Sequence, residues 1–194
     1  MNTSSRLAIV AATLAATAVA APPAHAGPPW ISIEFPTNPH HSPVRGARFL
    51  VRTYHHWQPV ETVLAGTAEG LVNGVRRSVN LQVSKGPVAG VYGVTGQIPA
   101  EGAWIVVIRA PGLDNATALV TLGADGQVAG AEVPANTTND GWKVPRQATD
   151  AEIESALRNH AAQLASAERR SPLGWALAIL GMLAILPAGL RVRR

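Results

Sequence analysis

The chain has 194 residues, 16 Lys and Arg against 12 Asp and Glu, and no cysteine. The missing cysteine excludes disulfide stapling, thiolate metal sites, covalent haem attachment and cysteine nucleophiles. The net charge of +4 suggests nucleic acid only until it is divided along the chain: between Gly27 and Glu168, ten basic residues face all twelve acids, which leaves no positive face to neutralise phosphates.

Residues 1–26 read as an export signal. Arg6 supplies a short basic start, Leu7 to about Ala21 is apolar, and Ala24-His25-Ala26 places small residues where the peptidase needs them, so cleavage is expected before Gly27. Pro22 and Pro23 break the apolar helix just ahead of that site and leave it short for a span.

From Gly27 to about Pro134, short apolar or alternating runs are separated by Gly, Pro and Asn. The expected strands are Trp30 to Phe35, Phe49 to His56, Thr62 to Leu71, Val75 to Val83, Val91 to Ile98, Trp104 to Arg109 and Ala118 to Leu122, with a last one at Gln127 to Val133. Asn73-Gly74 and Asp125-Gly126 are hairpin signals. Val79, Leu81 and Val83 share one face while Ser78, Asn80 and Gln82 take the other. Seven or eight strands at this spacing point to an antiparallel sandwich. Arg76 and Arg77 read as one solvated pair on a strand or turn.

Gly90-Val91-Tyr92, followed by Pro99, Gly102, Trp104 and the apolar Ile105 to Ile108, resembles the pattern of bacterial immunoglobulin-like domains of the YtkA-like and FixH-like kind. The resemblance covers about a third of the domain. It implies a small immunoglobulin-like sandwich in which Tyr92 and Trp104 pack the core near a strand-to-strand turn.

Residues 135–148 are polar and turn-rich and read as a linker, with Trp142 as the exception, expected to dock on the domain rather than meet a partner. Residues 149–170 read as a juxtamembrane helix. Thr149 or Asp150 can cap its start, Glu152 and Glu154 suit the first turns, and Arg169 and Arg170 the last. Its apolar stripe, Ile153, Leu157, Ala161 and Leu164, is thin enough to pack on a neighbour or self-associate, with His160 beside it in solvent.

Leu173 to Leu190 carries no charged residue and, at about 1.5 Å per residue, reaches roughly 27 Å as one spanning helix. Arg191, Arg193 and Arg194 after it favour a basic cytoplasmic tail within residues 171–194, and the export signal orients the chain the same way. Gly174 and Ala178 form a small-residue step through which two copies could pair, giving a homo-oligomer through the helices. An apolar helix followed by arginines also resembles a cleavable C-terminal sorting signal of the exosortase type, although the Pro-Glu-Pro motif is missing and only Ser171-Pro172 stands there.

The unusual chemistry of the exported part is histidine. His40 and His41 lie in a proline-bracketed loop, and His55 and His56 end the second expected strand. Imidazole suits copper(II) and zinc, and one histidine from each pair, helped by Glu34, Glu61 or the new amine of Gly27, is the expected metal set. Both His55 and His56 could serve one ion only if the strand stops being regular there. Otherwise the four histidines belong to an aromatic surface beside Tyr54 and Trp57. No methionine occurs between residues 27 and 181, which disfavours a thioether copper(I) site.

No Gly-x-Ser-x-Gly elbow, His-Glu-x-x-His or glycine-rich phosphate loop occurs, and Asp114 reads as a turn residue. The expectation is therefore a non-enzymatic binding or accessory module of the cell envelope, anchored in the membrane and serving an envelope protein partner. A copper or zinc protein and a surface protein with a cleavable tail are the alternatives.

Overall fold

The computed structural model describes residues 27–35 and 44–170. The expected export signal, the pair His40 and His41, and the terminal apolar run lie outside the described residues. Among the described residues no helix is long and apolar enough to cross a membrane.

Eleven strands and one helix are formed by these residues: β1 Trp30–Glu34, β2 Phe49–His55, β3 Gln58–Pro59, β4 Ala65–Val72, β5 Val75–Lys85, β6 Val91–Thr95, β7 Ala103–Ala110, β8 Ala116–Leu122, β9 Val128–Glu132, β10 Ala135–Thr137, β11 Lys143–Pro145, and α1 Asp150–Arg170. Every pairing is antiparallel. The order is β1-β2-β6-β5-β4-β7-β8-β9, with β3 on β2 and β10 on β11. β5 joins two layers: Val75 and the residues to Leu81 pair with β4, whereas Gln82 to Lys85 pair with β6. One layer is thus β1, β2, β6 and the end of β5. The other is the start of β5 with β4, β7, β8 and β9, and the chain crosses between layers after β3, within β5 and after β6.

Alternation decides which side chains fill the space between the layers. Ile31, Phe49, Val51, Val94, Val106, Ile108 and Val120 point inward and form one core with Tyr92 and Trp104. Val79, Leu81 and Val83 lie against that core on a shared face, as their spacing predicts. The Thr62 N–H donates to the Tyr92 hydroxyl at 2.7 Å, and that hydroxyl donates to the Thr62 carbonyl at 2.8 Å, pinning the approach to β4 onto β6. Trp104 Nε1–H donates to the Glu101 carbonyl at 2.8 Å, so its buried polar atom is satisfied. Gly90 stands at φ 71°, where a Cβ would come within 2.7 Å of the Thr53 carbonyl oxygen. The turns follow their residues: Asn73-Gly74 and Asp114-Asn115 all have positive φ at the hairpin corners between β4 and β5 and between β7 and β8.

β7 is buried on both faces because α1 covers its outer side. Ile105, Val107 and Leu119 meet Ala148, Ile153 and Leu157 there, and burying each large aliphatic side chain contributes about 1.5–3 kcal/mol. Thr149 begins the helix in a capping box: its hydroxyl accepts the Glu152 N–H at 3.2 Å, and the Glu152 carboxylate accepts the Thr149 N–H at 2.8 Å. Arg146 binds the same carboxylate with both guanidinium nitrogens. That pair, then the Thr149 amide, holds the Glu152 carboxyl down to about 2.

Three expectations change here. The apolar stripe of the helix packs on the chain's own sheet, and His160 is not in solvent but 4% exposed against it. The third helical turn brings residue 160, rather than 161, under the sheet-facing side that Ile153 and Leu157 define. Arg76 is no merely solvated residue: it bridges the buried Glu69 on β4 and Glu154 on α1, at 3.3 and 3.2 Å. Residues 135–148, read as a linker, contain the β10–β11 hairpin and are tied to the body, with the Thr117 N–H donating to the Arg146 carbonyl and the Ala148 N–H to the Thr117 hydroxyl.

Candidate functional site

β2 ends at His55 and the chain turns through His56 and Trp57 into β3, with His55 paired to Gln58. A two-residue hairpin loop of this kind needs positive φ at both central residues, which is why Asn-Gly is its favoured sequence. Here His56 stands at φ 50° and Trp57 at φ 65°. The left-handed region costs a residue with a Cβ about 1–2 kcal/mol, and the turn uses it to leave Trp57 74% exposed. Strain of this sort persists only where neighbours over-determine it, and it gathers at ligand clamps. The neighbours are at the start of the described chain. His56 Nδ1 lies 3.0 Å from the Gly27 carbonyl oxygen, and a Cβ on Gly27 would meet Trp57 Nε1 at 2.6 Å.

Trp57 forms one wall of a groove. Its floor is the cross-strand pair Trp30 and Tyr54, set on the outer face because Ile31 between Trp30 and Ser32 turns into the core. The opposite wall is Trp142 and Lys143 from the β10–β11 hairpin, whose loop is closed by Thr138 accepting the Gly141 N–H and by the Thr138 hydroxyl accepting the Trp142 N–H. With Ser32 and Pro28 these residues enclose about 540 Å³, within the roughly 300–1,000 Å³ of small-ligand and peptide clefts. Trp30 and Trp142 are 36% and 43% exposed. Three of the five tryptophans of the chain therefore face solvent in one cleft.

The groove is polar in one sense only. Trp30, Trp57 and Trp142 each carry an indole N–H, Lys143 an ammonium, and Ser32 and Tyr54 a hydroxyl; among the described residues no carboxylate or carboxamide lines it. Among the described residues, no hydrogen bond or ion pair engages the indole nitrogens, the Lys143 ammonium or the Ser32 hydroxyl. Beyond the rim, Ser32 is paired across the strands with Arg52, and Arg52 is bound by Glu34 at 2.6 Å. That hydrogen bond raises the Arg52 pKa and leaves its charge compensated.

Of the four histidines expected as metal ligands, His55 and His56 are described and both are exposed. The strand does not stay regular at His56, so the two rings come together, with centroids 3.9 Å apart and planes at 33°. Rings lying over one another aim their in-plane lone pairs side by side rather than at a common point. Glu34 pairs with Leu50 and Trp30 with Tyr54, so His55 stands at the end of β2 away from Glu34; His40 and His41 lie outside the described residues. Among the described residues no group of three or more His, Asp or Glu side chains is placed to hold a metal ion.

No family model, no curated protein and no solved structure matches this chain. Its function is accordingly read from the groove. Sequence reasoning places Tyr54 and Trp57 together on an aromatic surface, treats Trp142 apart from them, and gives no role to Trp30, Ser32 or Lys143. The usable signal was alternation in Trp30-Ile31-Ser32-Ile33: two inward isoleucines oblige the tryptophan to face out.

Proposed function

We propose that this chain is a non-enzymatic binding module of the cell envelope, exported by its first 26 residues, anchored by its terminal apolar run, and engaging its partner through the aromatic groove. The observation that carries the reading is Trp57, held in a left-handed turn and 74% exposed beside Trp30 and Trp142. Backbone strain and an exposed aromatic side chain each cost stability, and their coincidence is characteristic of ligand-binding sites. An immunoglobulin-like sandwich, of the YtkA-like and FixH-like kind, is supported by β1, β2 and β6 in one layer against β5, β4, β7 and β8 in the other, with crossovers after β3, within β5 and after β6. It is supported too by the burial of Tyr92 and Trp104 in the core.

Copper or zinc binding by His40, His41, His55 and His56 is the alternative reading, and what supports it among the described residues is the proximity of the His55 and His56 rings. The direct test of the groove is a screen of envelope-derived peptides and glycans against the full-length protein in detergent, read by intrinsic tryptophan fluorescence. A response lost in both Trp57→Ala and Trp142→Ala supports the module. Responses that persist in both variants, or a screen with none, overturn it. Intact mass separates anchor from sorting signal: retention of Arg194 supports the anchor.

A further inference from the structure

Resting on the reading of the groove as a binding site, we infer that its ligand is a proline-rich, extended segment of a partner protein that carries an acidic residue next to its prolines.

Two features of the lining select this class. The first is the imbalance of donors and acceptors. Three indole N–H groups and the Lys143 ammonium donate, and only the hydroxyls of Ser32 and Tyr54 can accept through a side chain. A polyproline II segment suits such a surface, because its carbonyls are fully available and its prolines have no N–H to satisfy. A sugar ring stacks on indole as well, and its hydroxyls both accept and donate; the proline segment differs in offering acceptors alone to a lining dominated by donors. Aromatic walls spaced across a cleft are also how polyproline segments are gripped in general, with ring faces against proline rings and indole N–H groups on carbonyls.

The second feature is charge. Lys143 is the groove's one charged side chain and has no ion-pair partner among the described residues, while Arg52 beyond the rim is already compensated by Glu34. An unpaired ammonium at the edge of an aromatic cleft favours a carboxylate on the ligand and disfavours a basic one. The same ammonium, without an ion-pair partner among the described residues, argues against a cationic ligand enclosed by the indoles, which would be repelled where it should be held.

The test is fluorescence anisotropy with three labelled probes on the full-length protein in detergent: hexaproline extended by two glutamates, hexaproline extended by two lysines, and a hexamer of N-acetylglucosamine. The expected result is that the acidic proline probe binds tightest, that Trp57→Ala weakens it by about tenfold or more, and that Lys143→Glu inverts the preference between the acidic and basic probes. Trp142→Ala serves as a second variant, and a thermal melt unchanged in these proteins assigns the loss to the groove. Tighter binding of the glycan than of either peptide overturns the proline inference while leaving the binding module intact. An acidic-to-basic preference unmoved by Lys143→Glu overturns the charge assignment. Probes that all fail to bind overturn the inference on ligand class, and the envelope screen decides the module separately.

Discussion

The two layers of this fold treat their outer faces in opposite ways. The outer face of β4, β7 and β8 is apolar at Ile105, Val107 and Leu119, and the chain covers it with α1. The outer face of β1 and β2 is aromatic at Trp30 and Tyr54, and among the described residues it is lined with further aromatic groups and not covered by a helix. On the covered face most polar groups are paired, Glu69 with Arg76 and Ser78, Arg76 with Glu154, and Arg109 with the Thr67 hydroxyl, His160 Nε2 being the exception. On the aromatic face Arg52 is paired with Glu34, while among the described residues the Lys143 ammonium has no ion-pair partner. A sequence able to build a capping box, an ion-pair chain and an apolar helix face has the means to cover a sheet, and this contrast is what the proposed ligand site rests on.

Removing a covering side chain should therefore destabilise the fold, and removing a groove side chain should not. Leu157→Ala is expected to have the largest effect, a loss of about 2–5 kcal/mol in urea unfolding, since it opens a cavity between helix and sheet. Trp142→Ala should leave the unfolding midpoint nearly unchanged. Equal losses from the two substitutions would mean that the groove is a structural interface and that the contrast between the faces is false.

The strained turn allows a sharper separation. Replacing His56 and Trp57 together, His56→Asn with Trp57→Gly, supplies the residues that a turn with both φ values positive prefers. The double variant is expected to be more stable by about 1–2 kcal/mol while losing the fluorescence response to ligand. Loss of the Trp57 and His56 contacts to Gly27 opposes the gain, so the sign of the midpoint shift is the measurement that matters. A double variant that is destabilised and still binds would place no strain at this turn and no function in it.

How much of this was legible depended on the range of the information. The strands were, because alternation and turn residues are local: the run from Val75 to Val83 and the signal at Asn73-Gly74 sit where the structure has β5 and its hairpin. The helix start was legible in Thr149 and Glu152 for the same reason. The docking of α1 was not, because the stripe that meets the sheet is only two aliphatic residues and a histidine, and its partner face is hidden in a β7 that reads simply as apolar throughout. The groove was least legible of all. It joins β1, the β2–β3 turn and a hairpin some 85 residues further along the chain, about the separation of Trp57 from Trp142, and no local pattern links them. The histidines drew notice as paired, metal-competent residues, while their contribution at His56 is to the shape of a turn that carries a tryptophan.

The smallest expected effect also belongs to the covered face and depends on pH. His160 Nε2 is buried with no hydrogen-bond partner, and burial lowers the ring's pKa below its ordinary 6.5, an effect that the Leu122 backbone opposes only in part. The docked helix thus holds a neutral imidazole. Above pH 6.5 the ring is neutral in both folded and unfolded chains and the interface has its full stability. As pH falls below that value the unfolded chain takes up a proton that the docked ring resists, so stability declines until the pH reaches the lower folded value. Glu152 acts in the same direction but in a separate window, from its ordinary 4.5 down to about 2. Urea midpoints measured from pH 7.5 to 5 should accordingly fall for the wild-type chain and stay level for His160→Leu, whereas ligand binding at the groove, whose described lining includes no residue of α1, should keep the same response in both. Parallel pH slopes in the two proteins would remove His160 from the stability of the covered face.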